Sequence, residues 1–213
     1  MSVLVLLSGG VDSAVLLARA PEGSAALYIG YWQPAWRQEG IAAHRLAAHY
    51  GATLYRSALP DTHTPDGSPP LPPVDMSAPI GEEGPRVVPA RNLMFIAQAL
   101  HVAERVGLGR VWYGANSDDW EAYTDCRPRF VHQLNAALRA RTPNQYAAKY
   151  TGPVVEAPLI HDTKRQVLNM ARNLDVPLDV CWSCYTPRGG EPCGTCDSCK
   201  LRARATAESG GCR

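Results

Sequence analysis

With 213 residues, 46% of them apolar and 19% charged, the chain is long enough for one substantial core and leaves room only for a small appendage. The formal net charge of +1 produces no large field, so nucleic acid is not an expected partner, and no apolar stretch has the length needed to cross a bilayer. The apolar opening at residues 1–7 lacks a basic leader and meets Ser8, Gly9 and Gly10 too soon for a signal peptide, which points to a cytoplasmic protein.

Residues 3–7 form an unbroken valine and leucine run, the pattern of a strand buried on both faces of a parallel sheet. A helix is expected over 12–20 and a second strand over 25–29. A second helix follows over 37–50, where Ala43, Leu46, Ala47 and Tyr50 recur at helical spacing and Gly51 is placed to end it. A third strand falls at 53–55. From 60 to 85 the composition changes: Pro69, Pro70, Pro72 and Pro73 exclude a helix and remove ladder donors, leaving a long loop that is a lid, a binding segment or a disordered excursion. Alternation then resumes, with helices predicted over 92–105, 130–141 and 163–174 and strands over 111–113 and 154–157. The expected fold is α/β, a parallel sheet with helices on both faces.

The first strand runs directly into Ser8-Gly9-Gly10-Val11-Asp12-Ser13 and then a helix. Glycines let backbone amides approach an anion, and a helix N-terminus adds partial positive charge. Ser13 offers a hydroxyl donor, and Asp12 stands at the helix start, where a carboxylate is favoured. The bland reading of the same run is a glycine-rich turn capped by Asp12. No Gly-Lys-Ser/Thr follows and a third glycine is missing, so neither a Walker loop nor a dinucleotide fingerprint fits. The full run instead resembles the signature of the PP-loop ATP pyrophosphatases. That resemblance implies a Rossmann-like core of the adenine nucleotide alpha hydrolase type, ATP bound at residues 7–13, and transfer of AMP to a carbonyl oxygen with release of pyrophosphate.

Seven cysteines are present, and Cys181, Cys184, Cys193, Cys196 and Cys199 crowd into one short segment. In a reducing compartment this reads as a metal site rather than as cross-links. Cys184, Cys193, Cys196 and Cys199 suit tetrahedral zinc, with Cys181 the spare. A saturated four-thiolate shell leaves no open position, so the zinc would be structural. Buried unligated thiols and an iron–sulfur cluster are the competing readings, the second weakened because the ferredoxin spacing breaks after Cys199. The expected division is a synthase domain over 1–178 and a four-cysteine segment over 179–213.

Between these motifs stand Val88-Pro89-Ala90-Arg91-Asn92, Tyr123-Thr124-Asp125-Cys126-Arg127-Pro128 and Trp182-Ser183-Cys184-Tyr185. Together, and in this order, they resemble the 7-cyano-7-deazaguanine synthase family over nearly the whole chain. The sequence departs from that family at Tyr31-Trp32-Gln33, where Tyr-Gly-Gln is common, and at Ala122-Tyr123-Thr124-Asp125-Cys126, where Gly-Tyr-Pro-Asp-Cys is common.

The resemblance implies an ATP-dependent ligase acting on 7-carboxy-7-deazaguanine and ammonia, with magnesium, in a homodimer. It makes Leu7, Ser8, Gly9, Gly10, Val11, Asp12, Ser13 and Arg91 the ATP contacts, and Ser8, Asp12, Ser13 and Lys164 the catalytic set. Lys164 is read as a second cationic phosphate contact or as a solvated surface lysine. Gln33, Arg91, Asn92, Asp125, Cys126 and Arg127 are candidates for the deazapurine, and Cys126 reads equally as a small buried hydrophobe. No base neighbours Cys126 in sequence, so it is not assigned as a nucleophile. The six histidines show no metal spacing. A chain of this length holds no glutaminase domain, which makes free ammonia the expected nitrogen donor. The competing functions are a paralogue that passes the acid to another amine, such as a protein N-terminus, a transfer-RNA thiolation enzyme, and a non-catalytic zinc-knuckle module. The last would show an electropositive, aromatic-rich surface.

Overall fold

The computed structural model describes residues 1–31, 33–59, 88, 90–140, 152–196, 198–200 and 202–203. The proline-rich loop at 60–85 lies outside the described residues. In chain order the elements are β1 (Leu4–Leu6), α1 (Val11–Arg19), β2 (Ala25–Gly30), α2 (Trp36–His49), β3 (Thr53–Ala58), α3 (Arg91–Val106), β4 (Arg110–Trp112), α4 (Pro128–Ala140), β5 (Val154–Glu156) and α5 (Lys164–Asn173). The expected elements are all present. Their ends move by a residue or two, except that β3 runs on to Ala58 through the polar Arg56 and Ser57. The last residue of the helix expected over 130–141 lies outside the described residues.

The strands form one sheet in the order β3-β2-β1-β4-β5, and every neighbouring pair is parallel. Val5 of β1 sits level with Ala26 of β2 and with Trp112 of β4. Side chains alternate across β1 as the pleat requires. Val3, Val5 and Leu7 pack with α1, α2 and α5 on one face, while Leu4 joins α3 and the apolar side of α4 on the other. The central strands are therefore apolar throughout, which is why they read as continuous runs. Edge strand β3 is half exposed, which explains the polar residues that concealed its length.

Strand order reverses at β1. The chain proceeds outward to β2 and β3, then crosses back to place β4 on the other side of β1. A crevice opens at such a switch point, beyond the carboxyl ends of the strands. The loop after β1 lies in it, and Gly114, after β4, packs against Asp12 and Ser13.

The outer edge of β5 is closed by a side chain. Asn135 of α4 donates through Nδ2 to the Val155 carbonyl at 2.8 Å and accepts from the Val155 amide at 2.9 Å. One amide thus replaces a missing neighbour strand and blunts an edge that would otherwise offer unpaired groups. Asn135→Ala leaves both Val155 groups without that partner and is expected to cost about 2–6 kcal/mol, at roughly 1–3 kcal/mol per unsatisfied group, read from urea unfolding. A loss below 0.5 kcal/mol would mean that the clamp contributes nothing.

Candidate functional site

The turn leaving β1 is built on one residue that only glycine fits well. Gly9 has φ +86°, and a Cβ there would stand 2.7 Å from the Glu39 carbonyl oxygen and 2.9 Å from Ala42 Cβ. Helix α2 therefore packs directly on the loop backbone. Gly10 is the N-cap of α1, and no side chain caps it, so the first-turn amides of α1 have no intrahelical acceptor. Ser13 donates to the Gly10 carbonyl at 2.9 Å and shares a hydrogen bond with Ser8 at 3.2 Å. Both hydroxyls hold the loop in shape.

Asp12 is not a cap. It lies in the first turn of α1, where its Oδ2 forms an ion pair with Lys164 Nζ. Its other oxygen, Oδ1, is buried and has no hydrogen-bond partner. Lys164 opens α5, where Thr163 and Gln166 form a capping box. Its backbone amide donates to Asp118 Oδ2 at 2.9 Å, while the Ser117 amide and hydroxyl both bond the Asp162 carbonyl. These contacts set the ammonium over the loop. Burial alone would lower the Lys164 pKa, but the Asp12 carboxylate and its hydrogen bond turn the balance upward, so the side chain stays an ammonium.

Two cavities meet at this loop. The larger, about 480 Å³, lies between α1, α5 and the C-terminal segment, with Ser8, Gly10, Val11, Asp12, Lys164 and Trp182 on its wall. The smaller, about 290 Å³, lies over the ends of β1, β2 and β4 and includes Ser8, Asp12, Ser13, Gln33, Arg91, Asn92 and Cys126. It is rich in aromatic rings. Tyr31 packs against Phe95 with the rings tilted and their centroids 5.2 Å apart, and the Arg91 guanidinium lies 5.9 Å from the ring centroids of both Tyr31 and Tyr123. Gln33, only 6% exposed, accepts from the Tyr31 amide and donates to Glu39 Oε2 at 2.6 Å.

Most of the predicted residues thus converge, and four do not reach a cavity wall. Leu7 is core and bonds the Leu27 carbonyl, while Gly9 lies behind the loop against α2. The Asp125 carbonyl accepts from Tyr113, and Arg127 is exposed and donates to the Trp120 carbonyl. Cys126 is buried beside Asn92; burial first, then the Asp119 and Asp125 carboxylates, push its thiol up to about 12. It is no nucleophile at neutral pH.

Glu39, Asp119, Tyr113, Tyr123, Trp182 and Tyr185 line the cavities without having been singled out. Trp182 and Tyr185 belong to a motif read for its cysteine. Glu39 lies in the first turn of α2, where a glutamate is an ordinary helix-start residue, and only the packing of α2 on Gly9 brings it in. Burial raises its carboxyl above the usual range, against the hydrogen bond from Gln33 and the charge of Arg91.

The sulfurs of Cys184, Cys193, Cys196 and Cys199 all lie within 4.8 Å of one another and can hold a metal ion. Four thiolates at about 2.3 Å from one tetrahedral ion stand about 3.8 Å apart, close to the 4.0 Å between Cys193 and Cys199. Backbone amides of Cys193 and Cys196 donate to the Cys184 and Cys193 sulfurs, the outer support a thiolate site needs. Cys181 stands apart, bonded to the Pro177 carbonyl. The segment is tied to the loop after β1 by the Trp182 amide, which donates to the Gly9 carbonyl at 2.9 Å.

A family model described as queuosine biosynthesis protein QueC matches residues 2–210. The chain is 33% identical to the 7-cyano-7-deazaguanine synthase of Chlorobaculum tepidum, covering 99% of this chain and 93% of that protein. It is 36% identical to the enzyme of the same name from Synechococcus elongatus, at 97% and 91% coverage. It is 37% identical to 7-cyano-7-deazaguanine synthase 1 of Sphingopyxis alaskensis, at 98% and 95% coverage. Among solved structures, the U34-tRNA thiolase NcsA from Methanococcus maripaludis, with its 4Fe-4S cluster, matches with a TM-score of 0.50 and 17% identity. That match covers 99% of this chain and 65% of the thiolase chain, and it speaks to the fold alone.

Gly9→Ala is expected to destabilise the protein by about 1–3 kcal/mol and to weaken ATP binding at least tenfold, because α2 must retreat before the loop can form. Urea unfolding and nucleotide titration check the two effects together.

Proposed function

The chain belongs to the queuosine biosynthesis protein QueC family, and we propose that it is an ATP-dependent carbon–nitrogen ligase converting 7-carboxy-7-deazaguanine and ammonia into 7-cyano-7-deazaguanine. The observation that carries the reading is the meeting of two cavities at one phosphate loop. Two planar heteroaromatic reactants have to bind so that the α-phosphate of one touches the carboxylate of the other. Separate chambers with a shared wall at Ser8 and Asp12 suit that requirement.

A carboxylate resists attack by ammonia because its charge repels a nucleophile and its oxygen leaves poorly. In the first half-reaction the substrate carboxylate attacks the α-phosphate while the loop amides, the N-terminus of α1 and Lys164 hold the departing pyrophosphate. Ammonia then displaces AMP to give the amide. A second adenylation on the amide oxygen, followed by loss of AMP, gives the nitrile. Ser8 and Ser13 keep the loop in shape throughout, and Arg91 and Asn92 hold a ring against the tyrosines. Asp125 would act from behind the wall, through Tyr113, while Arg127 stands outside both cavities on the Trp120 carbonyl.

Asp12 is the residue that would hold magnesium, since its buried second oxygen has no protein partner and a hard cation takes oxygen ligands. An ion held there by Asp12 would supply positive charge against the pyrophosphate. Cys184, Cys193, Cys196 and Cys199 would hold zinc, whose short sulfur–sulfur edges fit the cluster better than an iron–sulfur cubane with each thiolate on a different iron. Zinc here folds the segment and performs no step.

Incubated with ATP, ammonium and the deazaguanine acid, the protein should release AMP and yield a product with the mass of the nitrile. No AMP from folded, metal-loaded protein would overturn the proposal, and an amide adduct of another amine would redirect it to a different acceptor. Elemental analysis should find one zinc per chain, and Cys196→Ala should lose it and lower the thermal midpoint; iron with sulfide in its place would reject the zinc assignment.

A further inference from the structure

Ser8, Asp12, Glu39 and Tyr185 line both cavities. They surround the place where, on the proposed reading, the activated carboxyl carbon meets its nitrogen. Two of them are already committed. The Ser8 hydroxyl is hydrogen-bonded within the loop, and the Asp12 carboxylate is ion-paired with Lys164. Tyr185 is 40% exposed at the mouth. Glu39 differs from these: Gln33 anchors Oε2 at 2.6 Å, and among the described residues no hydrogen bond or ion pair reaches Oε1.

Resting on the function proposed above, we propose that Glu39 is the base of amide and nitrile formation, binding the incoming nitrogen as ammonium through Oε1 and taking its protons. Ammonium predominates at neutral pH and carries no lone pair, so a group at the junction must both attract the cation and deprotonate it. The other candidates near the junction are unsuited. Lys164 remains an ammonium and Cys126 a thiol, and Tyr113, its phenol pushed up by burial, lines only the smaller cavity. Asp119 also lines the smaller cavity alone. The groups facing Glu39 are Tyr28 on β2, Tyr31 and Gln33 after it, Arg91 on α3, Tyr185 on the C-terminal segment, and Asp12 with Lys164 across the loop. Burial raises the Glu39 carboxyl above its ordinary value, against the Gln33 hydrogen bond and the Arg91 charge.

The protons and electrons balance as follows. Ammonium gives one proton to Glu39, and the freed pair on nitrogen forms the C–N bond to the acyl carbon. Glu39 passes that proton to water, the C–O bond to AMP breaks with its pair leaving on the phosphate, the nitrogen gives a second proton to Glu39, and the amide remains. After adenylation of the amide oxygen, nitrogen loses its last two protons by way of Glu39 to water as the second C–O bond breaks. The product is the nitrile with a second AMP.

Glu39→Gln keeps an acceptor for Gln33 while removing the base. The variant should retain acid-dependent exchange of labelled pyrophosphate into ATP within about threefold of the parent, which also shows that it folds. Amide and nitrile formation from ammonium should fall on the order of 100-fold or more, the usual worth of a general base. Hydroxylamine, which arrives neutral with its pair free, should restore hydroxamate formation to near the parental rate. Exchange and hydroxamate failing together with amidation would overturn the proposal, as would unchanged amidation, or an ammonium-specific defect found in Asp119→Asn instead. If the parent itself shows no acid-dependent exchange, the functional reading beneath the inference fails first and takes the inference with it.

Discussion

At Gly9 three parts of the molecule meet on one backbone unit. Its left-handed conformation turns the chain from β1 toward α1, its missing side chain admits the backbone of α2, and its carbonyl receives the Trp182 amide. Each contact excludes water from one side of the loop and leaves the amides at the start of α1 facing the crevice. An L-residue here would meet both a conformational penalty and a steric one. The position is therefore a geometric origin for the site. Glu39 is where it is because α2 lies against Gly9, and Trp182 and Tyr185 are where they are because the metal segment is hung from the same residue.

Electrostatics follow from that geometry rather than from overall charge. The chain is nearly neutral, yet it concentrates Asp12, Glu39, Asp119, Arg91 and Lys164 around the crevice. The only ion pair among these five in the described residues is Asp12 with Lys164. The pair is suited to opening when a triphosphate arrives, because a polyanion competes for the ammonium while a divalent cation competes for the carboxylate. Pairing in the resting state also spares the protein an isolated buried charge.

The sequence carried the fold well because a parallel sheet covered on both faces leaves a plain trace: apolar runs for β1 and β2, helical periodicity between them. Where exposure mixes the pattern the trace fades, as at β3, whose outer half is polar, and at the short turns Ser117–Asp119 and Thr124–Cys126, which are too brief for any period. The candidate site was legible wherever its geometry depends on a local turn, so the glycine turn after β1 and the cysteine knuckle stood out. It was opaque where function depends on packing. Nothing around Glu39 in the chain distinguishes it from any helical glutamate, and nothing around Arg127 says that it will turn to the Trp120 carbonyl rather than to a ligand.

The four-cysteine segment shows how a group far from the chemistry can still govern it. Few apolar side chains follow α5, too few to make an independent core, and the segment is held at its two ends. Arg202 closes it by donating to the Leu178 and Cys181 carbonyls at 2.8 and 2.6 Å, and the Trp182 amide fastens it to Gly9. Between these anchors the chain must turn back on itself, a turn that thiolate coordination of a metal would fix without a core. Trp182 is then held at both ends, its indole nitrogen on the Cys184 carbonyl and its amide on the loop, so the wall of the larger cavity is fastened to the cysteine cluster. On the proposed reading, a metal that performs no step would thereby help set the precision with which the two reactants are brought together, because one wall of the chamber is fastened to the cysteine cluster and the other to the sheet.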